Sequence, residues 1–191
     1  MKNLSKKHSE ILQTAADLFK KQGYAATSMR QLAKAVNIEP SSLYSHIQSK
    51  EAILQMICFE QADKFIQFIH WIEEQDDSPI EKIRALLLHQ MQIAYDDSTS
   101  ITVFNDEWKH LNDAHLNTFL KLRKEYESAF IQLINLGIDQ GLLKNIDSKI
   151  ILNTLLSSIK WIHFQSNRNV ANPDNFHLLL DLILGGVLRV V

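Results

Sequence analysis

The sequence predicts an all-α fold: a three-helix helix-turn-helix head followed by a helical-bundle body, about nine helices in all. Three observations carry this prediction. The 191 residues include only five Gly and three Pro, and no alternating β-branched segment stands out. Apolar residues recur at helical spacing almost throughout. The stretch TSMRQLAKAVNIEPSSLYSHIQSK, Thr27 to Lys50, has the punctuation of two short helices joined by a tight turn, with a third opening at Ser49.

The first helix is expected over residues 5–22, with Ile11, Ala15, Leu18 and Phe19 as its apolar stripe and Gly23 ending it. Ser28 and Gln31 form a capping box that starts the second helix, where Leu32, Ala33 and Val36 share one face. Asn37 suits the turn because Asn tolerates the left-handed conformation that stops a helix. Pro40 fits the first turn of the next helix, where a missing N–H costs nothing. That helix keeps Leu43 and Ile47 for the core and exposes Ser41, Ser42, Tyr44, Ser45 and His46. A short helix with small hydroxyls at its start and nothing bulky and apolar outside suits a DNA major groove.

Ser49 caps a long helix that continues to about Ile72 and fades at the acidic QDDSP segment, residues 75–79. Helices are expected over residues 79–95, 101–112, 113–140, 147–167 and from 173 to the end, with a loop over 96–100. Gly141 closes the longest of them, and NRNVANP is the final loop. The expected division is a DNA-binding head over 1–50 and a ligand-binding and dimerisation body over 51–191.

Charge supports that division. The net charge of −2 argues against a protein that coats nucleic acid. Residues 1–50, however, carry eight Lys/Arg against three acids, +5, whereas residues 51–191 carry twelve against nineteen, −7. A basic quarter on an acidic body is what a DNA-reading module attached to a non-DNA-binding body shows. The single cysteine, Cys58, excludes an internal disulfide and fits a reducing cytosol, so a cytoplasmic location is expected. The first ten residues have charge but no apolar segment, unlike a signal peptide. The apolar run from Phe176 is broken by Asp181 and ends after about fifteen residues, too short to span a membrane.

The last helix, with Leu178, Leu179, Leu180, Leu182, Ile183, Leu184 and Val187, is apolar nearly all round and must be covered on every side. Gly185 and Gly186 within it cost about 1 kcal/mol each relative to Ala and make sense if another backbone approaches there. The preceding helix offers Leu152, Leu155, Leu156 and Ile159. Two helices from each of two subunits would form a four-helix homodimer seam built on Leu152, Leu155, Leu156, Ile159, Leu179, Leu182, Ile183, Gly185 and Gly186. The alternative is that these residues are simply one subunit's core.

The head resembles the TetR family of bacterial transcriptional regulators over positions 8–55. The likeness rests on AADLF (Ala15–Phe19), Gly23 and Tyr24, TSMRQLA (Thr27–Ala33) and SSLYSHIQSKEAIL (Ser41–Leu54). LYSHIQSKE is close to the family's leucine-tyrosine-x-histidine-phenylalanine-x-x-lysine-glutamate pattern, with Ile47 in place of the common Phe. By position, the resemblance implies phosphate contacts from Thr27, Ser28, Tyr44, His46 and Lys50. It places Arg30, Pro40, Ser41 and Ser42 nearest base edges. A helix N-terminus at Ser49 with Lys50 beside it suits a backbone phosphate. Arg30 is the side chain here able to make the bidentate guanine contact. Tyr44 read without the resemblance could be a core aromatic with its hydroxyl at the rim, and His46 could bond a backbone carbonyl. In the body, VFNDEWKHL (Val103–Leu111) and RKEYESAFIQLINLGIDQGLL (Arg123–Leu143) look like the sensor domains of members that respond to acyl-CoA or other lipid-like molecules.

Candidate ligand residues are His89, Phe104, Glu107, Trp108, Tyr126, Phe130, His163 and Phe164, an apolar set with a few directional polar groups. The same aromatic spacing also describes an ordinary core. His110 and His115 are five apart, missing the i, i+4 spacing of a helical metal pair, and no Cys supports them. No Ser-His-Asp arrangement, glycine-rich phosphate loop or acid pair is recognisable. No metal, cofactor or enzymatic activity is expected. The expected function is a ligand-responsive DNA-binding regulator: a homodimeric repressor released from a palindromic double-stranded operator by a small apolar effector, with no membrane partner. Two other classes stand beside it, an architectural DNA-binding protein without inducer and a helical carrier or enzyme. The acidic body is awkward for the first of these and the basic head for the second.

Overall fold

The computed structural model describes residues 6–163 and 172–189, and all nine α-helices below lie among them. They fall into two compact units, residues 1–62 with 99–120, and residues 63–98 with 121–191. The head expected over 1–50 lies within the first unit, which also takes in a later segment of the chain.

The first unit begins with α1 (Lys6–Gln22), which buries Ile11, Leu12, Ala15, Ala16 and Phe19. Gly23 ends it at φ +85°, its N–H on the Phe19 carbonyl, in a conformation open to glycine without steric cost. α2 (Met29–Ala35) starts at the capping box read from sequence: Ser28 Oγ accepts from the Gln31 N–H at 3.2 Å, and Gln31 Oε1 accepts from the Ser28 N–H at 2.8 Å. It stops as expected at Asn37, which stands at φ +54°. The N–H of Asn37 reaches the Lys34 carbonyl and that of Ile38 reaches Ala33, so the freed carbonyls of the last turn are satisfied in a Schellman motif. α3 (Pro40–His46) has Pro40 in its first turn and buries Leu43, with Ile47 buried at its end. α4 (Lys50–Glu73) is capped by Ser49 Oγ, which accepts from the Ala52 N–H at 3.0 Å.

The segment from residue 96 to residue 139, which belongs partly to each unit, departs from expectation. The loop over 96–100 is reduced to Asp97, because α5 (Pro79–Asp96) is followed directly by α6 (Ser98–Asp106). Ser98, Thr99 and Ser100 are buried, so their small hydroxyl side chains serve close packing inside a helix rather than solvated loop backbone. The helix expected over 101–112 is α6 and a separate 3-10 turn, Trp108–His110. α7 (Asp113–Asp139) follows, its first turn capped by Asn112 Oδ1 on the His115 N–H at 3.0 Å.

In the second unit, α5 starts at a capping box between Ser78 and Glu81, with Pro79 at its first position. Hydrogen bonding to Ser78 holds the Glu81 carboxyl below the ordinary carboxylate range. α8 (Ser148–Ile159), capped by Asp147, ends before the expected residue 167 in a 3-10 turn, Lys160–His163. α9 (Phe176–Gly185) packs on α5 and α8 and is tied to α5 by an ion pair between Asp181 and Arg84 at 2.7 Å. The chain then turns back, and Leu188 bridges Leu143. Among the described residues no helix is long and apolar enough to cross a membrane.

The expected dimer seam is corrected in two respects. Leu152, Leu155 and Ile159 are 4%, 1% and 6% exposed within one chain, so they are already core. Gly185 and Gly186 end α9 instead of sitting inside it, and space beyond Gly185 is open. What α9 leaves outside is Leu178 and Leu182, 68% and 79% exposed and four residues apart, flanked by half-buried Leu179 and Ile183; Leu156 on α8 is also half-buried.

Candidate nucleic-acid interface

α2 and α3 present one exposed polar surface. Arg30 on α2 and Pro40, Ser41, Ser42, Tyr44, Ser45 and His46 on α3 are all exposed, while Leu32, Leu43 and Ile47 beneath them are buried. Tyr44 is 54% exposed, which removes the reading of a core aromatic. Ser28 is also at the surface, with its hydroxyl engaged in the capping box, where it donates to Gln31 Oε1 at 2.9 Å. A rigid α2–α3 pair follows from local chemistry: a cap before α2, a Schellman closure after it, and a proline that pre-sets the entry to α3.

Thr27 and Lys50 sit differently from the implied phosphate contacts. Thr27 is 2% exposed, and its Oγ1 donates to the Gly23 carbonyl at 2.9 Å while accepting from Gln22 Nε2 at 3.0 Å. Lys50 Nζ donates to the carbonyls of Tyr24 and Thr27, both at 2.7 Å, and lies 4.2 Å from the centroid of the Tyr24 ring. An ammonium has three donors; besides these two carbonyls Nζ reaches that of Ala25 at 3.5 Å, and all three lie in the turn between α1 and α2. Both side chains hold that turn together in this structure, where the implied phosphate contacts would need them turned outward.

Tyr24 is the residue that the sequence reading quoted within the motif but gave no role. Besides Lys50, its ring meets Phe19 edge-on with centroids 5.2 Å apart and His110 stacked at 5.2 Å and 23°. Burial, and secondarily the Glu51 carboxylate, raises its phenol above the ordinary value. Its position, an aromatic directly after a helix-ending glycine, was the available signal.

The candidate ligand residues divide between the units. Phe104, Glu107 and Trp108 belong to the first, where Phe104 and Trp108 meet Phe119 of α7 at 5.4 and 6.0 Å. Glu107 lies 3.4 Å from His110, and its charge contributes, after burial, to pushing the Cys58 thiol up to about 12. His89, Tyr126 and Phe130 belong to the second. There His89 stacks on Phe68 with centroids 3.8 Å apart at 9°, and Tyr126 meets both Phe65 and Phe130 edge-on. Gln90 Nε2 donates to the Tyr126 hydroxyl, whose acidity burial suppresses well below that of a free phenol. Burial and then the Lys64 charge push His89 down to about 4, so the imidazole is neutral at physiological pH. The side chain of His163 and the whole of Phe164 lie outside the described residues. Among the described residues no group of three His, Cys, Asp or Glu is arranged to hold a metal.

Residues 11–57 match the family model of the bacterial regulatory proteins, tetR family, and residues 76–164 match that of the tetracyclin repressor-like C-terminal domain. The chain is 24% identical over 187 residues to the HTH-type transcriptional repressor KstR2 of Mycolicibacterium smegmatis, covering 95% of this chain and 90% of that one. The solved structure of the ketosteroid transcriptional regulator KstR2 of Mycobacterium tuberculosis superposes with a TM-score of 0.87 at 20% identity, over 97% of each chain. AibR in complex with isovaleryl coenzyme A and operator DNA superposes with a TM-score of 0.77 at 24% identity, over 95% of this chain and 97% of that one.

Proposed function

Because the chain belongs to the TetR family of bacterial regulatory proteins, we propose that it is a cytoplasmic, homodimeric repressor released from a palindromic operator by an apolar, acyl-bearing effector. The observation that carries this reading is the outer face of α2 and α3. Arg30, Ser41, Ser42, Tyr44 and His46 form a polar surface without a bulky apolar residue, on a helix pair fixed by its own caps. Base edges ask for short hydroxyls and one guanidinium, and phosphates for the aromatic hydroxyl and the imidazole around them.

The dimer reading rests on α9. Leu178 and Leu182 form an exposed apolar pair that a second copy would cover, and the space beyond Gly185 is open. Two copies place two α3 helices on half-sites about one helical turn, 34–36 Å, apart. The effector class rests on the aromatic clusters around Phe119 and around His89, on the likeness of the body to acyl-CoA-responsive members, and on a structural neighbour that holds an acyl-CoA. A regulator without catalytic turnover fits the helical body.

Selection of bound sequences from random DNA, followed by binding in the presence of fatty acyl-CoAs, free fatty acids and aromatic drugs, tests the reading. A palindromic site bound more tightly than random DNA at equal salt, and released by an acyl compound, supports it. Equal affinity for all sequences would overturn the regulator; specific binding without release by any compound would remove the effector claim alone.

A further inference from the structure

We infer that the segment Glu107–His115 sets the geometry of the DNA-reading head directly, through the ring of Tyr24, so that Tyr24 and His110 are positioning residues for operator binding. This rests on the reading of α2–α3 as the DNA-reading pair. The turn from Gly23 to Thr27 is the only covalent link between α1 and α2, and its Thr27 immediately precedes the cap of α2. Two of its carbonyls, those of Tyr24 and Thr27, are fixed by one ammonium, Lys50 Nζ, in the first turn of α4. The ring under that ammonium is the one on which His110 stacks.

The segment touches the same structure at two further points. Gly23 faces Glu107, whose Oε1 lies 3.9 Å from where a Cβ would stand. His115 Nδ1 lies 3.5 Å from the carboxylate of Glu51, the neighbour of Lys50 in the first turn of α4. A shift of His110 therefore bears on the ring under Lys50, and a shift of His115 on Glu51, the neighbour of that lysine. The Schellman closure after α2 and Pro40 then pass that position on to α3 with little slack. Glu107 and His110 also adjoin Trp108, which stacks on Phe119, so an aromatic cluster that could receive an apolar molecule is joined to the turn over a few residues.

The test uses the full-length protein, its selected operator and three variants. His110→Ala removes the stack, His110→Phe keeps an aromatic ring there, and Lys50→Met removes the ammonium. Positioning predicts that His110→Ala weakens operator binding by about fivefold or more, the lower range of measured couplings between sites. It also predicts faster amide hydrogen exchange over residues 23–28, with the thermal midpoint of the protein unchanged. His110→Phe restores both, and the losses from His110→Ala and Lys50→Met fail to add because both act on one ring. Wild-type affinity and exchange in His110→Ala would overturn the proposal, as would a loss that His110→Phe does not rescue. If the wild-type protein selects no DNA sequence, the DNA-reading premise fails, and the exchange over residues 23–28 still decides whether His110 governs the turn.

Discussion

Lys50 Nζ lies 2.7 Å from the carbonyl oxygen of Thr27, 23 residues earlier in the chain, and at the same distance from that of Tyr24. The lysine of a motif that reads as a phosphate clamp thus acts inside the head, closing the turn that starts α2. Hydrogen bonds from a charged donor contribute about 1.5–3 kcal/mol. Lys50→Met is expected to lower the stability of the head by about that amount and to weaken operator binding through it. The slope of log affinity against log salt should stay at its wild-type value. A direct phosphate contact would instead reduce the slope by about 0.9, with stability unchanged, so titrations at several salt concentrations decide between the two roles.

Arg30 carries the opposite expectation. It is exposed on α2 beside the face of α3, and a bidentate guanine contact discriminates by about 1–3 kcal/mol. Arg30→Ala should cost roughly that on the selected operator and much less on random DNA. Equal losses on both would place the guanidinium on the phosphate backbone.

The two leucines on either side of α9 separate assembly from folding. Leu182 is 79% exposed and Leu184 is fully buried. Leu182→Asp should yield a folded monomer, visible as a halved mass in sedimentation with helical circular dichroism intact, and should abolish tight operator binding. Leu184→Asp should prevent folding, because an unpaired charge is placed in the core. A Leu182→Asp protein that remains dimeric would move the interface away from α9.

His89 makes stability depend on pH in a defined direction. Its ordinary value of 6.5 is lowered to about 4 in the folded state, first by burial against Phe68 and Phe65 and then by Lys64. Between these limits the unfolded chain binds more protons than the folded one. Stability present above about pH 6.5 is therefore lost as the pH falls toward about 4. Urea midpoints measured across that window should fall with pH in the wild type and fall less steeply in His89→Gln. Parallel curves for the two proteins would show that other groups govern the acid limb.

Cys58 is buried and its thiol is pushed up to about 12, so almost none of it is thiolate at neutral pH. A chromogenic disulfide reagent should react with it at the rate of unfolding. Immediate reaction in the folded protein would contradict its burial.

The features legible in the sequence were those decided within about five residues, because their energetics close locally. The Ser28–Gln31 box, the Asn37 stop, Pro40 at the start of α3 and the Ser49 cap each satisfy backbone groups of their own turn, and each stands where the sequence put it. The alternation of Leu43 and Ile47 with exposed Ser41, Ser42 and Tyr44 follows from the same 3.6-residue period, and so the outer face of the head was readable too. Tertiary structure decided whatever depends on a partner far along the chain. Periodicity says that Leu152, Leu155 and Ile159 must be covered but not by what, and the cover proved to be within the same chain, leaving Leu178 and Leu182 outside. Composition made Ser98–Ser100 a loop, yet burial gave small hydroxyl residues a place in a helix. A lysine near a helix start can reach a phosphate or a carbonyl with equal chemistry. Only tertiary structure, by bringing the turn at Tyr24 and Thr27 to Lys50, puts carbonyls within reach of its ammonium.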